Sequence, residues 1–101
     1  MIAATFLDSA AIARACEKHG VARLRVFGSA LTDRFDPARS DVDFLVDYRP
    51  DAPRTFAALF SLRDELETIV GRRVDLIDAR NIRNPYVAKS ALESAVDVYA
   101  E

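Results

Sequence analysis

Residues 41–48 read DVDFLVDY, and their near-regular alternation of acidic and apolar side chains limits what the chain can fold into. As a strand, this stretch sends Val42, Phe44 and Val46 to one face and Asp41, Asp43, Leu45 and Asp47 to the other. The first face requires an apolar cover, while the second requires water or countercharge. A small mixed β-sheet with helices packed mainly on one face satisfies both demands, so the expected class is α+β.

The flanking sequence supplies the cover. LDSAAIARACEKHG reads as a helix with Asp8 or Ser9 as N-cap, Ile12 and Cys16 on one face and Gly20 at its end. ARLRVF, residues 22–27, suits a strand, and SALTDRF after Gly28 suits one or two helical turns before Asp36-Pro37. From Thr55 to Val70, Phe56, Leu59, Leu62, Leu66, Ile69 and Val70 recur at helical spacing, and Gly71 stops the run. RVDLID, residues 73–78, is a further strand. NPYVAKSALESA opens on an Asn84 N-cap and Pro85 and reads as a last helix, with VDVY as a short closing strand. Neither a linker nor an internal repeat divides these 101 residues, so one domain over 1–101 is expected.

Composition removes several functions. Fourteen basic against sixteen acidic residues leave a net charge of −2, without the basic footprint that gripping nucleic acid demands. The single Cys16 cannot form an internal disulfide, and no leader or membrane segment is legible, so a cytoplasmic setting without membrane contact is the expectation.

Asp41 and Asp43 leave one strand face with Cα atoms roughly 6–7 Å apart, where both can reach one divalent ion. Unneutralised carboxylates so close repel each other, and Mg²⁺, which prefers oxygen ligands and recruits phosphates, removes that cost. Upstream, Gly28 permits close backbone approach and Ser29 opens a helical turn suited to a phosphate. A phosphate cradle beside a magnesium site is what nucleotidyl transfer requires. Asp75, in RRVDLID, is the natural third carboxylate.

The segment GSALTDRFDPARSDVDFLVDY, followed by GRRVDLID and NIRNPYVAKSALESAVDVY, resembles the DNA polymerase β-like nucleotidyltransferase superfamily and its minimal, MNT-domain members. The likeness covers nearly the whole chain. It implies the polymerase β-like nucleotidyltransferase fold, two Mg²⁺ ions held by Asp41, Asp43 and Asp75, and ATP phosphates bound near Gly28 and Ser29. In that superfamily the third carboxylate activates an acceptor hydroxyl, a part that falls to Asp75. Many MNT proteins are antitoxins paired with HEPN-domain toxins, and some transfer AMP to the toxin, which makes a protein hydroxyl the leading acceptor. The chain departs from the family in one respect, carrying eleven residues, 30–40, between Ser29 and Asp41 where ten are common.

Two other functions fit the same residues: an antitoxin that neutralises its partner by stoichiometric binding, and a nucleotidyltransferase for a small hydroxylated molecule, whose pocket would need a homo-oligomer. Asp47 reads as a solvated carboxylate outside the site, His19 as a surface residue in the last turn of the first helix, and Cys16 as a small core residue. Tyr86 and Tyr99 read as packing residues.

Overall fold

A computed structural model describes residues 8–27, 42–53, 55–81, 89, 93 and 95–101. The expected helical turns after Gly28 and most of the last expected helix lie outside these residues. Helix α1 (Ser9–Lys18) starts where the Asp8 side chain accepts from the Ala11 amide at 3.1 Å. It buries Ile12, Ala15 and Cys16. Helix α2 (Phe56–Val70) starts with Thr55, whose hydroxyl accepts from the Ala58 amide at 3.1 Å. Its buried residues, Leu62, Leu66 and Val70, recur every fourth position and form one stripe. Gly71, at φ 69°, ends it with its amide donating to the Glu67 carbonyl at 2.8 Å.

Four strands, β1 (Val21–Phe27), β2 (Val42–Tyr48), β3 (Val74–Asp78) and β4 (Val96–Ala100), form a mixed sheet in the order β3-β2-β1-β4. β1 pairs antiparallel with both β2 and β4, and β2 pairs parallel with β3. A parallel neighbour demands a long crossover, and α2 is that crossover. After β3 the chain makes a short 3₁₀ turn, Ala79–Asn81, that the sequence did not announce.

The core forms between the sheet and the two helices: Ile12, Cys16, Leu62, Leu66 and Val70 pack with Leu24, Val26, Val42, Phe44, Val46 and Val74. The α+β expectation therefore holds, and the face of β2 without aspartates is the covered one. Two side chains depart from their expected places. The His19 side chain is 11 % exposed rather than on the surface, and its Nε2 lies 3.3 Å from Glu65 Oε1 of α2. Lys18 donates to the same Glu65 carboxylate, and this contact holds the Glu65 carboxyl below the usual range.

Asp47 is the second departure. It accepts from Arg25 Nη2 at 2.9 Å, and Arg25, only 8 % exposed, is the buried charged residue among those described. Asp47 is the partner that compensates this buried cation. Asp47→Ala should therefore cost about 2–3 kcal/mol, while Arg25→Met should cost less, because the half-exposed Asp47 can regain water. Urea denaturation of the two variants measures the difference.

The two left-handed glycines give a second comparison. A Cβ on Gly71 meets nothing within 4 Å, so Gly71→Ala should cost only the backbone strain, about 1 kcal/mol. A Cβ on Gly20, also at φ 69°, would stand 2.9 Å from the Ala52 Cβ, so Gly20→Ala should lower the denaturation midpoint further. Burial pushes the Cys16 thiol up to about 12, with Glu17 adding to the rise. A thiol reagent at pH 8 should accordingly label Cys16 only after denaturant is added.

Candidate functional site

The chemistry-bearing residues gather on the sheet face away from α1 and α2. Register decides which of them meet. Asp43 of β2 lies directly beside Asp75 of β3, with Leu45 beside Ile77 one alternation further along. On the other side of β2, Asp43 faces Phe27, Leu45 faces Arg25 and Asp47 faces Arg23. Three rows result: a carboxylate row, an apolar row and a charged row.

In-register neighbours on adjacent strands sit ~4.8 Å apart and project to the same side, so Asp43 and Asp75 can share one cation. Asp75 is exposed and Asp43 half-buried. The end of the sheet that carries them is anchored. The Val42 amide donates to the Arg73 carbonyl at 2.9 Å, and the Val74 amide donates to Glu67 Oε2 of α2, also at 2.9 Å. The residues just before Asp43 and Asp75 are thus fixed to each other and to the crossover helix.

Of the residues expected at the site, Asp43 and Asp75 are brought together. Asp41, Gly28 and Ser29 lie outside the described residues. β1 ends at Phe27 opposite Asp43, so the chain enters the Gly28-Ser29 segment at the carboxylate row. Two carboxylates on one exposed row form the hard oxygen set that suits Mg²⁺, and the described residues fit such an ion.

Beyond that row the face is zipped by ion pairs. Arg25 donates to Asp47, Arg23 Nε donates to Asp97 Oδ1 of β4 at 2.6 Å, and Arg49 Nε donates to Glu101 Oε2 at 2.8 Å. The Asp97 hydrogen bond raises the hold of the Arg23 guanidinium on its proton. Leu45 is 0 % exposed although neither helix lies on its side, flanked in register by Arg25 and Ile77. The sequence reading passed over Arg25. The available signal was an arginine in a short strand on the same face as the aspartates of β2, two residues before Phe27. Among the described residues one cavity lies on α2 around Ser61, Asp64 and Thr68, and another surrounds His19, Gly20 and Arg49.

Among the described residues no helix is long and apolar enough to cross a membrane. Comparison with known proteins agrees with the geometry. MJ1217 of Methanocaldococcus jannaschii, provisionally named a protein adenylyltransferase, is 36 % identical over 80 residues, covering 79 % of each chain. A solved structure provisionally described as a minimal nucleotidyltransferase superposes with a TM-score of 0.71 at 32 % identity, over 87 % of this chain and 86 % of that one. A chain from the complex of a tri-AMPylated Shewanella oneidensis HEPN toxin with MNT antitoxin shares the fold, with a TM-score of 0.67 at 16 % identity, over 94 % of this chain and 71 % of that one. The model of the nucleotidyltransferase domain matches residues 9–98, and with Asp43 and Asp75 side by side in register the chain belongs to that nucleotidyltransferase family.

Proposed function

We propose that the protein transfers AMP from ATP, with Mg²⁺, to a hydroxyl of a partner protein, and that this partner is a HEPN-domain toxin for which the chain serves as antitoxin. The observation that carries the reading is the side-by-side placement of Asp43 and Asp75 on adjacent parallel strands. The names of the curated relatives, which describe protein adenylyltransferases, and the AMPylated toxin in a complex of the same fold support the acceptor class.

Asp41, Asp43 and Asp75 would hold two Mg²⁺ ions. When bound, these supply charge neutralisation for the triphosphate and for the negative charge that develops during transfer. The remaining work belongs to the chain. The Gly28-Ser29 segment holds the phosphates. Asp75, exposed at the edge of the row, orients the acceptor hydroxyl and takes its proton on a carboxylate oxygen. The acceptor oxygen bonds to the α-phosphorus, the bond from that phosphorus to the bridging oxygen breaks, and pyrophosphate leaves with the electron pair.

Stoichiometric neutralisation is the second reading, and a surface feature favours it. Phe56 is 79 % exposed and stacks at 6.3 Å on Phe60, which in turn lies under the Arg63 guanidinium. These rings offer a partner apolar area independent of the carboxylates.

Incubation with α-labelled ATP, Mg²⁺ and lysate of the source cell separates the readings. Wild-type protein should label one acceptor band, and Asp43→Asn or Asp75→Asn should lower that labelling by about a thousandfold, the equivalent of several kcal/mol of lost charge stabilisation. Neutralisation of the partner that survives both substitutions would favour the binding reading.

A further inference from the structure

We infer that Arg25 and Asp47 form a positioning pair that secures the β1–β2 register beside the carboxylate row. The inference rests on the nucleotidyl-transfer reading above and adds residues to it. β1 leads directly into Gly28-Ser29, and β2 carries Asp43. Among the described residues, the pairing of these strands relates the end of β1 to Asp43.

That pairing is short. A register shift between Val21 and Arg23 leaves a regular antiparallel run only from Arg23 to Phe27, opposite Asp43 to Asp47. On its other edge β1 is interrupted again, between Leu24 and Arg25, where it pairs with β4. Next to the site, β1 is held by this five-residue run and by the burial of Leu24 and Val26, to which a side-chain contact across the pair adds. The Arg25 guanidinium crosses from β1 to β2 inside this run and reaches Asp47 at 2.9 Å. Its Nε is buried without a hydrogen-bond partner among the described residues, so the Asp47 contact is what offsets its burial. A slip of one residue would turn Arg25 into the helix-covered core and separate it from Asp47, an arrangement that a buried charge strongly disfavours.

The test reads register without any turnover. Because the Val42 amide points to β3, alternation directs the Asp43, Leu45 and Asp47 amides to β1 and the Phe44 and Val46 amides to β3. The variant is Arg25→Met/Asp47→Leu, which removes both charges in comparable volume and so retains global stability. In the free protein, amide exchange at Phe27 and Asp43 should quicken at least tenfold, while Phe44 and Val46 keep their wild-type rates. The same variant should lower kcat for AMP transfer about 10- to 100-fold with KM for ATP within threefold, because a displaced reacting centre slows the step more than it weakens binding. Arg25→Lys, which keeps the charge, should recover most of both losses.

Unchanged exchange at Phe27 and Asp43, exchange that rises evenly through the sheet, or local quickening with an unaltered kcat would each overturn the inference. Absence of transfer by the wild type is a different failure. It would remove the proposed function, and the exchange pattern would then decide alone whether the clamp exists.

Discussion

Parallel pairing of β2 with β3 places Val42 beside Val74 and Asp43 beside Asp75, so one hydrogen-bond register closes the apolar core and assembles the carboxylate row. The two results cannot be separated, because side chains alternate along a strand and every in-register row belongs wholly to one face. A slip by one residue would put an aspartate against α2 and a valine in water. The core thus protects the site: burial of Val42, Phe44, Val46 and Val74 under the helices holds the carboxylates on the opposite side of the sheet.

The crossover helix contributes more than apolar cover. α2 spans the distance a parallel connection needs, buries Leu62, Leu66 and Val70, and uses Glu67 to hold the first amide of β3. Its caps, Thr55 and Gly71, set where it starts and stops, and so where β3 begins relative to β2. Asp75 reaches the carboxylate row through this chain of local decisions. The face away from the helices is organised differently, by charge. Arg23, Arg25 and Arg49 each hold a carboxylate of another segment.

Helix α1, β2, α2, β3 and the closing strand were legible because each carries its own signal: a cap, an alternation, a four-residue apolar repeat or a terminal glycine. Val96–Ala100 extends one residue past the VDVY expected to close the sheet. The 3₁₀ turn at Ala79–Asn81 was not legible, since nothing in the local sequence distinguishes it from an irregular connection. Asp47 and His19 were misread for a common reason. Their partners, Arg25 and Glu65, are 22 and 46 residues away, and no local pattern reports a distant countercharge.

The sequence by itself determined which face of β2 is apolar, which residues could cover it, and which aspartates are chemically suited to a cation, because alternation and helical periodicity are properties of neighbouring residues. Only the tertiary structure decided that Asp75 stands beside Asp43, that β1 ends opposite them, and that a buried arginine spans β1 and β2. Those outcomes depend on strand order and register. They are fixed by the packing of the helices on the whole sheet, which no single segment encodes.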